Sequence, residues 1–291
     1  MTKDETNKTA SITGYLCYEG NSHSYETITD VVIPSKINGY KIIEISGVSE
    51  DVCSYAQEYC AFNNKGITSV ILPNTISYIG CYAFRFNNLK NVTIPESVTK
   101  MERCAFCYNS LTRVELSKSL ITIGSTTFLG NLLTSISIPD SVTTIGNSAF
   151  SYNQLTSVSI SDSVLTIEGS AFSYNQLTSV SIPDSVLTIE GSAFQYNNLS
   201  YVYIGNNSKL TSIGNHSFSS SNRTNTNNST GITYIDNPNL KKIYYNGSNQ
   251  LSWIYTINGS DSDTKFVTGI VPSYTISNDE VYNEVLITTG K

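Results

Sequence analysis

Apolar residues along this chain fall into short phrases of the form L-x-x-V-x-I, each followed by a turn and by two further apolar pairs. In the phrase itself, alternate side chains point inward, as in a brief β-strand. Pro73, Pro95, Pro139 and Pro183 follow the phrase. A proline cannot donate to a sheet ladder, so each strand is expected to end there and the chain to turn. A second apolar stretch, Val142 with Ile145 and Val164 with Ile167, supplies another wall, and an Ala-Phe pair closes a third side. Gly80, Gly124 and Gly146 mark a corner between them, but Glu168 and Glu190 stand in the same phase, so positive φ is not compulsory at that corner.

The pattern is strictly periodic. A step of 22 residues joins Phe62, Phe84, Phe106, Phe128, Phe150, Phe172 and Phe194, and the same step joins Ile67, Leu89, Leu111, Leu133, Leu155, Leu177 and Leu199. The segment SAFSYNQLTSVSI occurs twice without change, at 148–160 and 170–182. Such self-similarity predicts a solenoid, in which one coil cannot bury its own faces and neighbours must cover it. An asparagine at 87, 109, 131, 153, 175 and 197 precedes each strand leucine by two positions. It is expected to satisfy backbone groups at the corner entering the strand, coil after coil.

The unit, typified by LTSVSIPDSVLTIEGSAF, resembles the BspA-like leucine-rich repeat family of bacterial cell-surface proteins, over roughly residues 28–246. The resemblance implies a right-handed leucine-rich-repeat coil with a parallel β-sheet on its concave face. It also implies an extracellular or cell-surface adhesin or receptor that binds host, matrix or microbial surface proteins, with no catalytic residues to carry over. Residues 1–66 read as an N-terminal cap and a first atypical repeat with an insertion, partly helical, at SGVSEDVCSYAQEYC; residues 12–27 read as a strand or hairpin sealing the first coil. Residues 67–218 are the regular repeats, and 219–291 hold a polar loop, one last repeat strand and a C-terminal cap with Trp253 plugging the core.

Composition narrows the function. The charged fraction is 14% and the net charge −6, without the Lys and Arg clusters a nucleic-acid surface needs. No apolar run is long enough for a membrane span, and the N-terminus lacks the apolar core of a secretion signal. Only His23 and His216 are present, one toward each end, so the many serines lack a base for nucleophilic catalysis. No cofactor is expected. The CAFC pair at 104–107 lies on the Ala-Phe wall without a second such pair, which argues against zinc or redox work. Adjacent coils stack at about 4.8 Å, so Cys60–Cys81 or Cys81–Cys104 could bridge, but not both, and free thiols are the alternative. Asp140, Asp162 and Asp184 form a carboxylate column that is a Ca²⁺ candidate, although Asp-Ser after Pro is also an ordinary solvated turn; no metal site is assigned.

Outward strand positions define the candidate ligand-binding face. They are Asn91 and Thr93, Arg113 and Glu115, then serine pairs at 135/137, 157/159 and 179/181, then Tyr201 and Tyr203, and finally Lys242 and Tyr244. A solvated sheet face has no folding need for tyrosines, which supply large contact area with a polar tip. Tyr201, Tyr203, Tyr244, Lys242, Arg113 and Glu115 are therefore the expected binding residues. A second aromatic column, Phe86, Tyr108, Tyr152, Tyr174 and Tyr196, reads as packing between coils. A structural spacer and a carbohydrate-binding module, for which a glycan would be the partner, are the rival readings.

Overall fold

The computed structural model describes residues 1–13, 29–46, 60–204, 208–214 and 216–218, with backbone strands at 242–245, 274–275, 281–282 and 284–285. The inserted segment at 47–59, Trp253 and the loop after Phe218 lie outside the described residues, as do His23 and the cysteines at 17 and 53. The described chain is a β-solenoid without a helix.

Each coil contributes two short strands and two tight turns. The L-x-x-V-x-I phrase forms the first strand, as in Ser69–Ile71, Asn91–Thr93, Ser135–Ser137 and Ser179–Ile182, and each ends at or before the residue preceding its proline. Between regular coils these strands pair in parallel at a 22-residue register, for example Ser135 with Ser157 and Val180 with Val202, while Ser69–Ile71 pairs in parallel with Asp30–Val32. Inward valines and isoleucines are buried while the residues on either side face solvent.

The Val-x-x-Ile stretch does more than line a wall. Its two-residue strands, Tyr78–Ile79 through Ser212–Ile213, join one continuous sheet of eleven strands, whereas the first-strand face is divided among smaller sheets. This larger sheet begins with a hairpin of Thr2–Asp4 and Thr9–Ile12 laid beside Tyr40–Ile45. The hairpin thus lies ahead of the 12–27 segment expected to form it, of which 14–27 fall outside the described residues. Its turn is built locally: Asp4 Oδ1 accepts from the backbone N–H groups of Thr6 and Asn7, and Lys8 takes a left-handed φ of 53°.

The core is a set of ladders. Phe62 to Phe218 stack ring on ring with centroids 5.1–5.9 Å apart, and the rings from Phe84 onward are fully buried. The asparagines form the predicted second ladder. Asn153, for instance, accepts from Leu133 N–H at 3.1 Å and donates to the carbonyls of Phe128 and Phe150 at 3.0 and 3.1 Å. The corner glycines serve close approach and not unusual φ. A Cβ on Gly146 would lie 2.6 Å from the Ile123 carbonyl oxygen and 2.8 Å from Gly124 backbone. In the coils where glutamate occupies this phase, Glu168 and Glu190 reach back to the N–H groups of Asn147 and Gly169.

Positive φ is instead concentrated at two other columns. Tyr82, Cys104, Thr126, Ser148, Ser170 and Ser192 form one, and Asn64, Phe86, Tyr108, Gly130, Tyr152, Tyr174 and Tyr196 form the other. Each coil therefore turns on two left-handed residues placed four apart.

Candidate binding face

The first-strand face is assembled from residues one rung apart on successive parallel strands. From the N-terminal side it reads Asp30 and Val32, Ser69 and Ile71, Asn91 and Thr93, Arg113 and Glu115, three serine pairs, Tyr201 and Tyr203, then Lys242 and Tyr244. Nine strands at about 4.8 Å per rung give a face roughly 38 Å long.

The predicted residues fall on this face in three different settings. Tyr201 and Tyr203 have ring centroids 6.3 Å apart, and Tyr203 is 42% exposed. In the backbone ladder they stand opposite Lys242 and Tyr244, so four of the six predicted residues occupy adjacent rungs. Arg113 and Glu115 lie four rungs away and pair with one another, with Arg113 Nη2 at 2.6 Å from Glu115 Oε1 and Thr93 donating to Glu115 Oε2 at 3.1 Å. Both side chains are largely solvated. They form a polar rim element separate from the tyrosine group, with the six serines as a small-residue floor between.

Beyond Tyr244 the sheet continues. Glu284–Val285 pairs antiparallel with Lys242–Tyr245, setting Glu284 opposite Tyr244. Sequence reasoning missed this strand because Glu284–Val285 lacks the repeat phrase. It also missed the apolar end of the face. Val32 and Ile71 are neighbours in register and are 68% and 62% exposed. The signal was present: D-V-V-I-P and S-V-I-L-P carry an aliphatic residue at the outward position that Thr93, Glu115 and the serines 137, 159 and 181 fill in the next coils. Asp30 beside them accepts from Ser69 Oγ at 2.5 Å.

The cysteine expectation is corrected. The bridge that forms is Cys104–Cys107, with Cα atoms 4.8 Å apart, and neither Cys60–Cys81 nor Cys81–Cys104 is made. Left-handed φ at Cys104 folds the CAFC turn so that the two sulfurs meet within one coil, while Ala105 and Phe106 point into the core. The four described cysteines share one buried cluster with Tyr82, against which Leu129 packs. Among the described residues no group of three His, Cys, Asp or Glu side chains could hold a metal ion. The aspartate column instead supports turns: the main-chain carbonyls of Asp140 and Asp184 accept from Ser163 Oγ and from Lys209 N–H. No described helix is long and apolar enough to cross a membrane.

On the other face, the half-buried Tyr78 lies beside Glu102, which pairs with Lys100 at 2.5 Å. Burial, followed by the Glu102 charge, pushes the Tyr78 phenol well above its ordinary value.

A solenoid of short parallel strands, inward Leu-Val-Ile phrases and an asparagine ladder defines a leucine-rich repeat protein. The sequence model for the BspA type leucine rich repeat region matches residues 57–177 and 121–250 in six copies, and the chain belongs to that family. Leucine-rich repeat regions of this family are generally non-catalytic. Among solved structures, the chain is similar to a leucine-rich repeat protein from Bacteroides ovatus, with 23% identity, a TM-score of 0.53, and coverage of 88% of this chain and 68% of that one. It is also similar to a leucine rich cell surface protein from Faecalibacterium prausnitzii, at 21% identity and TM-score 0.48, covering 83% and 73% of the two chains. A leucine rich repeat protein of T. pallidum matches at 22% identity and TM-score 0.47, over 75% and 84%. No curated protein matches the sequence.

Proposed function

We propose that this chain is a non-enzymatic, adhesin-like binding module, extracellular or at the cell surface, whose first-strand face holds a protein of host, matrix or microbial surfaces. One observation carries the reading: Tyr201 and Tyr203 occupy outward positions on the rung beside Lys242 and Tyr244, and Tyr203 stays 42% exposed. Rigid aromatic side chains surrounded by small polar ones are the usual anchors of protein interfaces. The serine floor lets a partner approach the backbone closely, and Arg113 with Glu115 supplies a polar rim on the far side.

A second reading has its own support. The middle coils repeat SAFSYNQLTSVSI at 148–160 and 170–182, the uniform sequence that a spacer presenting other domains would have. The test is a binding screen of the chain against matrix proteins, host-cell surfaces and a glycan array, run beside Tyr201→Ala/Tyr203→Ala with unchanged circular dichroism. Protein binding that the double variant loses supports the module. Binding to glycans alone replaces the partner class, and binding to nothing favours the spacer.

A further inference from the structure

The first-strand face has an uncovered end. Its first strand, Asp30–Val32, pairs only with Ser69–Ile71. Ser69 N–H donates to the Thr29 carbonyl at 3.1 Å and Ile33 N–H to the Ile71 carbonyl at 3.0 Å, so Thr29, Val31 and Ile33 turn their main-chain groups toward the neighbouring strand. Alternate residues of a strand bond to opposite sides, so the N–H and C=O groups of Asp30 and Val32 point away from the sheet. Among the described residues nothing bonds to them. The larger sheet is different at this end, where Thr9–Ile12 covers Tyr40–Ile45. At the far end of the first-strand face, Glu284–Val285 covers Lys242–Tyr245.

An open row of this kind is a template for another strand. The edge is also accessible: Asp30 is exposed, Val32 is 68% exposed, and Ile71 on the next rung is 62% exposed. Its side chains state what it would take. Val32 and Ile71 are an aliphatic pair in register, and an aliphatic residue on an added strand would extend their row and remove both from water. Asp30 accepts from the Ser69 hydroxyl at 2.5 Å, and no described lysine or arginine pairs with it. A cation on the added strand would complete it.

We propose that the Asp30–Val32 edge is a strand-addition site for an extended segment of a partner protein, running parallel to it, with a basic residue beside Asp30 and an aliphatic residue beside Val32. The main-chain groups of Asp30 and Val32 supply the hydrogen bonds, and the two side chains select the sequence. The parallel sense continues the rungs that follow, from Ser69–Ile71 to Lys242–Tyr245. A second copy of the chain fits less well. Two copies paired by this edge run antiparallel, and the register that uses both residues sets Asp30 of each opposite Val32 of the other, a carboxylate against an aliphatic side chain twice over. The site lies at the opposite end of the face from Tyr201 and Tyr203, so it stands apart from the reading built on them.

The probe is the capped peptide acetyl-Thr-Lys-Thr-Val-Thr-amide, observed by saturation-transfer NMR on the full chain through its valine methyls. With its lysine beside Asp30, the amides of its second and third threonines face the edge. N-methylation at those two is expected to abolish transfer, whereas N-methylation at lysine and valine, whose amides point away, leaves it intact. Val32→Pro removes an edge N–H that the fold does not use and sets a ring in the path of the added strand, so it abolishes transfer with native circular dichroism. Asp30→Lys weakens the peptide about threefold and restores that factor to the peptide carrying glutamate in place of lysine. Tyr201→Ala/Tyr203→Ala leaves every one of these results unchanged, which keeps the two sites distinguishable. If Val32→Pro does not fold, the pair of N-methylated peptides decides alone. Absence of transfer to the parent peptide, or equal transfer to both N-methylated peptides, overturns the proposal. So does a concentration-dependent dimer in sedimentation that Val32→Pro dissolves, which assigns the edge to a second copy.

Discussion

Replacing Asn153 with alanine tests how the solenoid is held together. Asn153 makes four hydrogen bonds, accepting from Leu133 N–H at 3.1 Å and donating to the carbonyls of Phe128, Phe150 and Ser151 at 3.0, 3.1 and 3.3 Å. If all four groups were stranded, at about 1–3 kcal/mol each, the loss would approach about 8 kcal/mol. The ladder is shared, however. The Phe128 carbonyl keeps Asn131 at 3.0 Å, the Phe150 carbonyl keeps Asn175 at 2.9 Å, and the Ser151 carbonyl keeps Gly130 N–H at 3.0 Å. Only the buried Leu133 N–H loses its acceptor. One stranded donor plus the weakened sharing gives about 3 kcal/mol. Urea unfolding followed by far-ultraviolet circular dichroism reads the difference. Asn153→Asp separates acceptor from donor: it retains the bond to Leu133 N–H but turns a carboxylate toward three carbonyl oxygens. That variant is expected to lose more than the alanine at pH 7 and to recover part of it at pH 4, because the protonated acid donates again. Its folded pKa is raised, so its stability is present at low pH and is lost as pH rises through that value. A loss below about 1 kcal/mol for Asn153→Ala, or an aspartate variant as stable as the parent, would refute the reasoning.

Two further outcomes follow from the geometry. Cys104→Ser/Cys107→Ser is expected to cost about 2 kcal/mol or less, since the bridge closes a loop of only three residues' separation, and a larger drop in the urea midpoint would mean that the bridge organises more than its own turn. In an alkaline difference-absorbance titration, Tyr78 is expected to stay protonated beyond about pH 10, a delay that Tyr78→Phe removes. Its phenol is raised by burial and by Glu102, so its contribution to stability is intact below the ordinary phenol pKa and lost as pH climbs through the raised one. Ionisation of every tyrosine in one step with native circular dichroism would contradict this.

Periodicity made most of the interior legible. Phe62 to Phe194, the strand leucines and the asparagines at 87 to 197 all take the places that a 22-residue phase assigns, because each repeats one contact with its own copy in the next coil. What escaped was whatever repetition does not specify. The larger sheet was read as a wall because a two-residue strand such as Thr144–Ile145 carries too few positions to show alternation. The Cys104–Cys107 bridge depends on a left-handed turn at Cys104 that stacking distance alone does not reveal. Val32 was passed over because it precedes the regular repeats, and Ile71 because the outward pairs were read only from Asn91 onward.

The sharing of each phenylalanine carbonyl between two asparagines makes the length of this protein a free variable. A coil copied in full and placed beside its original arrives with the amide that its neighbour's carbonyl already accepts, and offers a carbonyl to the amide that follows. Neither junction meets a group it did not meet before. The array can therefore grow or shorten by whole coils without re-solving its own chemistry, whereas the hairpin at one end and the antiparallel strand at the other fit only where they are.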